Sequence, residues 1–330
     1  MLKPSIFIRL VYNRNYKRYE KGMMMMTKLT NEAIRYIEAN DTGYHYYEMT
    51  PQEARASRSI PKWHSALTPT LASIEDKKIT VRDDAKINVR IYTPITENTL
   101  PVIVYYHGGG WVFGDLESAD AGCQLLAEKV QAIVVSIDYR LAPEFPFPTP
   151  VFDAYDALLW VHEHAAELNG DPSRLIVAGD SAGGNLATVM THLAKHENGP
   201  TITAQALIYP VTTLNVTMDS YEKFGTHFGL DRQGMEWFAG LYSTAKNFAN
   251  PLVSPLQAQD FTNLPKTILL AAEADVLFDE GVSYTQKLAA AGVEVEHIVM
   301  PGLIHSYFSK MAYFEEATID TVEKIAAFIK

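Results

Sequence analysis

The chain has 330 residues and a formal net charge of −11 at pH 7, which argues against nucleic acid or an anionic membrane surface as a partner. One cysteine, Cys123, excludes an intramolecular disulfide framework and fits a reducing cytoplasm. No stretch reaches the ~20 apolar residues that a membrane-spanning helix needs, while the length suffices for a large core, most simply one α/β domain with inserts.

Residues 1 to 26 carry six basic side chains against Glu20 alone and end in four methionines, Met23 to Met26. Arg9 cuts the apolar run Ile6-Phe7-Ile8, and no small-residue cleavage site follows, so the segment does not read as a secretory signal. The expectation is a disordered basic tail, or a translation start within Met23 to Met26 that peptides from residues 1 to 20 in mass spectra of native protein would refute. From Thr30 to about Asn40, Ala33, Ile34 and Ile37 fall at helical spacing. Residues 41 to 73, rich in tyrosine and broken by Pro51, Pro61 and Pro69, read as irregular lid material.

Alternating runs at Lys78 to Arg82 and Lys86 to Tyr92, joined by Asp83-Asp84-Ala85, predict a β-hairpin. The unbroken apolar run Val102 to Tyr106 reads as a strand buried on both faces and leads into His107-Gly108-Gly109-Gly110-Trp111. Ala132 to Ile137 is the next strand and ends in DYRLAPE, Asp138 to Glu144. A helix follows from Phe152 to Glu167, then a strand over 174 to 179 that runs into GDSAGGN and another helix. Ala204 to Tyr209 is a strand, 212 to 255 loses β character and reads as a helical insert, and strands return at 267 to 272 and 293 to 300. Helices at about 280 to 291, closed by Gly292, and 313 to 329 complete the pattern. Strands alternating with helices imply a mostly parallel sheet covered on both faces.

The chemistry gathers at strand ends. Gly-x-Ser-x-Gly between a strand and a helix is a nucleophile elbow: Gly179 and Gly183 stand where a Cβ has no room, and Ser181 is lifted to a helix N-terminus. A serine hydroxyl needs a base, and the base needs a carboxylate, in the chain order Ser, acid, His. Asp275 follows the strand 267 to 272 and His305 follows the last strand. Rival acids are Glu273 and Asp279, and the rival His297 lies inside a strand, where a packed imidazole is expected. The three glycines Gly108, Gly109 and Gly110, with Ala182 after the nucleophile, offer N–H donors for an oxyanion, and which two of the glycines donate stays open. His107 reads as an organiser of that loop. His162 and His164 lack zinc-binding spacing, and His192 and His196 read as a solvated helix face, so no metal is expected.

HGGGW, DYRLAPE, GDSAGGN, D-x-L-x-D-E and the G-x-x-H ending, in that order, resemble the bacterial hormone-sensitive-lipase-like (family IV) carboxylesterases of the α/β-hydrolase superfamily. The resemblance covers roughly residues 78 to 330. It implies Ser181, Asp275 and His305 as nucleophile, acid and base, no cofactor, and a small-molecule ester substrate. It also implies a core over 74 to 211 and 256 to 330 under a cap formed by 27 to 73 and the 212 to 255 insert. Val276 departs from the proline common after the acid. Bulky cap aromatics point to short acyl chains. Pairing of two copies through the last strand is expected, with Glu294 and Glu296 as possible edge guards. An amidase or formamidase with the same triad is the alternative enzyme. A non-catalytic receptor, as in the related plant gibberellin receptors that lack the histidine, is disfavoured by His305.

Overall fold

The computed structural model describes residues 8–11, 28–40, 45–57 and 69–330. The expected start within Met23 to Met26 lies outside them, as does Pro61 of the expected lid. Strand β1 (Ile8–Val11) is followed by helices α1 (Asn31–Asn40) and α2 (Pro51–Ser57), then the hairpin β2 (Leu71–Thr80) and β3 (Lys86–Pro94). Next come β4 (Leu100–Tyr106), α3 (Leu116–Val130), β5 (Ile133–Asp138), α4 (Thr149–His164), β6 (Gly170–Asp180) and α5 (Ala182–His196). The chain continues through β7 (Ile202–Ile208), α6 (Asp219–Phe224), α7 (Arg232–Tyr242), β8 (Lys266–Ala274), α8 (Phe278–Ala290), β9 (Val295–Ile304) and α9 (Glu315–Ile329).

The strands form one sheet in the order β1-β9-β8-β7-β6-β4-β5-β3-β2. Only β3 runs against the rest, through antiparallel pairing with both β2 and β5. Five consecutive buried residues, Ile133 to Ile137 in β5, show that both faces of the sheet are covered. The cover comes from α3 packed with α9 and from α4 packed with α5. This is the α/β-hydrolase fold: mostly parallel strands whose C-terminal ends open toward one rim, where ligands of open α/β sheets collect. Among the described residues no helix is long and apolar enough to cross a membrane.

Three sequence expectations change. Ile8–Val11, inside the segment expected to be a disordered tail, forms strand β1 and pairs with β9. The hairpin begins at Leu71 rather than Lys78. Along β2 nearly every side chain from Leu71 to Lys78 is half or fully exposed, so no apolar alternation marks an edge strand whose charges also deter pairing with another chain. Residues 51 to 57 are helical rather than irregular. The helix carries a capping box: Thr50 N–H donates to Glu53 Oε2 at 2.9 Å and Glu53 N–H to Thr50 Oγ1 at 3.3 Å, with Pro51 at the first helical position. The signal T-P-Q-E stands in the sequence and could have found it. Along Val295 to Ile298 the outer edge of β9 is paired with β1, so both edges of that stretch are taken within the chain.

Candidate active site

The sharp turn after β6 holds Ser181 at φ 55° and ψ −118°, a region costly for any residue with a Cβ and typical of functional sites. Its neighbours leave no slack. A Cβ on Gly183 would lie 1.9 Å from the Tyr106 carbonyl oxygen, and one on Gly179 would lie 2.5 Å from Gly183. Backbone bonds pin the turn on both sides, from Ser181 N–H to the Ile208 carbonyl at 2.9 Å and from Val211 N–H to the Ser181 carbonyl at 3.1 Å. Ser181 itself is the N-cap of α5, so the positive end of the helix faces the hydroxyl.

The three expected residues meet there. Ser181 Oγ lies 2.9 Å from His305 Nε2, and His305 Nδ1 lies 2.7 Å from Asp275 Oδ2. All three are buried, and the Tyr209 ring flanks the imidazole with centroids 4.7 Å apart. Asp275 also accepts from Leu277 N–H at 3.0 Å, and Phe278 N–H closes the same turn on the Asp275 carbonyl. This turn is therefore formed with Val276 in the place of proline. The rival acids are engaged elsewhere: Glu273 accepts from Gly302 N–H at 2.8 Å and Asp279 from Ser220 N–H at 2.7 Å. His297 is buried in β9 and pairs with the Thr285 hydroxyl at 2.9 Å.

The glycine loop lies beside the serine, with Gly109 at φ 116° and Gly110 at φ 62°. Gly108 N–H donates to Asp180 Oδ1 at 2.8 Å, and the Tyr105 hydroxyl donates to the same oxygen at 2.8 Å. Burial pushes the Asp180 carboxyl up, while the Tyr105 hydroxyl and Gly108 N–H pull it down. His107 contacts the Gly108 carbonyl through Nδ1 at 2.8 Å and stacks on Tyr139, whose hydroxyl donates to the His107 carbonyl at 2.7 Å. DYRLAPE thus supports HGGGW from beneath. Its Arg140 is gripped by buried Asp153 at 2.6 Å, and Ala142 N–H donates to the Trp111 carbonyl at 2.8 Å.

The cavity above Ser181 has a volume of ≈ 290 Å³, at the small end for a ligand pocket. Tyr46, Met235 and Phe238 form part of its wall. Phe238 comes so close that a Cβ on Gly110 would lie 2.2 Å from its ring. Asp180 and Tyr105 were not assigned roles from sequence. Asp180 stands inside GDSAGGN, but only the pairing of β4 with β6 brings the Tyr105 hydroxyl to it. Glu280 was missed as well: fully buried, it accepts from Thr212 N–H at 2.6 Å and Thr213 N–H at 3.2 Å, tying α8 to the segment beside the elbow. His192 is not on a solvated face. It contacts the Tyr284 hydroxyl at 3.3 Å and packs edge-on against Phe261.

Residues 103–309 match the family described as having the alpha/beta hydrolase fold. The chain is 41% identical over 259 residues to a carboxylesterase of Mycobacterium tuberculosis, covering 77% of this chain and 81% of that protein. It is 36% identical over 293 residues to an ethyl acetate hydrolase of Pseudomonas putida, covering 86% and 92% respectively. The structure of a hyperthermophilic esterase from Pyrobaculum calidifontis superposes with a TM-score of 0.83 at 35% identity, covering 92% of this chain and 98% of that one. The chain belongs to the hormone-sensitive-lipase-like carboxylesterases of the α/β-hydrolase superfamily.

Proposed function

We propose that this carboxylic ester hydrolase cleaves short-chain acyl esters through a covalent acyl-Ser181 intermediate. The observation that carries the reading is the unbroken hydrogen-bond chain Ser181–His305–Asp275, at 2.9 and 2.7 Å. His305 Nε2 takes the hydroxyl proton as Ser181 Oγ attacks the ester carbonyl, and the resulting imidazolium is held by Asp275 through Nδ1–H. The tetrahedral oxyanion needs preorganised donors. Gly108 N–H is committed to Asp180, so Gly109, Gly110 and Ala182 are the candidates. Collapse breaks the bond to the alcohol oxygen, which takes the proton from Nε2. Water then attacks the acyl-serine with its proton passing to His305, and Ser181 leaves with that proton.

The small cavity closed by Phe238 and Met235 supports acetyl to hexanoyl acyl groups. The test pairs a serine-directed phosphonate with p-nitrophenyl esters from C2 to C16. Labelling in the wild type and its loss in Ser181→Ala, with rates falling beyond C6, is the expected result. Equal or faster turnover of C12 to C16 esters overturns the short-chain assignment. The cytoplasm is proposed on the single cysteine, Cys123, which is buried. A homodimer through the last strand would need an edge other than Val295 to Ile298, which β1 covers; light scattering reads the mass.

A further inference from the structure

Helix α2 reaches over the exit of the glycine loop, and one side chain makes the join. Arg55 donates from Nε to the Val112 carbonyl at 2.9 Å and from Nη2 to the Ala142 carbonyl at 2.7 Å. Glu144 holds the same guanidinium at 2.9 and 2.8 Å, and Gln52 of α2 donates to Glu144 Oε1 at 3.1 Å. The two carbonyls belong to segments already tied together, since Ala142 N–H donates to the Trp111 carbonyl at 2.8 Å and Val112 N–H to the Gly109 carbonyl at 3.1 Å. A guanidinium carries its donors in a rigid fork, so bonding both carbonyls at once sets the spacing between HGGGW and DYRLAPE.

An apolar contact runs beside this polar one. Ala54 of α2 is fully buried with Val112, Phe113, Ala142 and Phe238 in a small cluster separate from the main core. Oxyanion loop and cap therefore share a core of their own. Arg55 is 29% exposed and Glu144 41%, and an ion pair this open adds little to global stability. Its consequence is local.

We infer that Arg55 is a positioning residue for turnover: by clamping the Val112 and Ala142 carbonyls it aims the Gly109 and Gly110 N–H groups, and it makes docking of α2 a condition of catalysis. The inference rests on the oxyanion assignment made above. A displacement of the donors by about 1 Å is enough to cost about 100-fold in rate.

The test measures kcat and KM on p-nitrophenyl butyrate for Arg55→Met and Arg55→Lys, with affinity for an aliphatic trifluoromethyl ketone, which forms a tetrahedral oxyanion adduct with the active-site serine. Arg55→Met should lower kcat by about 10- to 100-fold, leave KM within about twofold, and weaken the ketone by the factor lost in kcat. Arg55→Lys, a point charge without the fork, should fall between it and wild type. A rise in KM with kcat unchanged marks a role in cap docking alone and overturns the inference. So do wild-type kinetics, or a loss of kcat without loss of ketone affinity. Should Arg55→Met fail to fold, Arg55→Lys and Glu144→Gln carry the same comparison, with kcat and ketone affinity expected to fall together and their separation overturning it. A wild-type chain that neither turns over the ester nor takes a phosphonate at Ser181 defeats the hydrolase reading itself. An active wild type with indifferent Arg55 variants defeats only the clamp.

Discussion

The floor and the roof of the active site are built differently. The floor is made of strand ends: Ser181 after β6, Asp275 after β8 and His305 after β9, each directly following a buried last strand residue, Asp180, Ala274 and Ile304. The roof is made of short helices, α2 and α7, resting on the glycine loop through a small separate cluster and one guanidinium. A sheet locked by its neighbours holds reacting groups to fractions of an ångström, whereas short helices over a small core can vary without disturbing them. Bond making and breaking are thus expected to reside in the floor and selectivity in the roof, with the Arg55 clamp the point at which the roof also acts on the rate.

Substitutions test that division, beginning with the floor. Ser181→Ala should remove esterase activity by at least about 10⁴-fold while leaving the far-ultraviolet circular dichroism unchanged. Asp275→Asn should lower kcat by about 10⁴-fold, because the imidazole loses its orienting acceptor, whereas Glu273→Gln, whose parent carboxylate accepts from Gly302 N–H and not from His305, should stay within about threefold of wild type. Comparable losses in the two would remove Asp275 from its role. In the roof, Phe238→Ala should raise the octanoate-to-butyrate ratio of kcat/KM by about tenfold by freeing space beside Gly110. An unchanged ratio would mean that Phe238 packs without shaping the pocket.

The smallest effect on rate, and a distinct one on stability, comes from histidines far from the chemistry. Burial lowers His192 and His297 to about 4 each, against about 6.5 in the unfolded chain. The folded state therefore binds fewer protons, so stability is full above pH 6.5 and is lost as pH falls through the window from 6.5 to 4. Each site should cost about 2 kcal/mol between pH 7 and pH 5. His297→Gln should make the chemical-denaturation midpoint less steep with pH over that interval, with kcat at pH 7.5 unchanged. An equally steep dependence would show that His297 titrates normally.

The floor was legible in the sequence because each part is local. Gly-x-Ser-x-Gly needs its glycines within one turn, and the acid and histidine are marked by the strands that precede them. The expected triad residues Ser181, Asp275 and His305 do meet, since a parallel sheet brings strand ends to one rim whatever their separation along the chain. The edge strand β2 and helix α2 were less legible. β2 buries little and so leaves no periodic signature, and α2 lies in a stretch dominated by prolines and tyrosines that hid its capping box.

By itself the sequence determined the parallel α/β architecture, the Gly-x-Ser-x-Gly turn, the placing of Ser181, Asp275 and His305 just after strands and the glycine loop, because backbone sterics and apolar periodicity act over a few residues. Tertiary structure alone decided that Asp180 takes the Gly108 N–H, that Glu280 ties α8 to Thr212 and Thr213, and that Arg55 reaches Val112 and Ala142. Those partners are far apart along the chain, and a buried or half-buried polar group bonds whatever donor or acceptor the packing places within hydrogen-bonding reach of it.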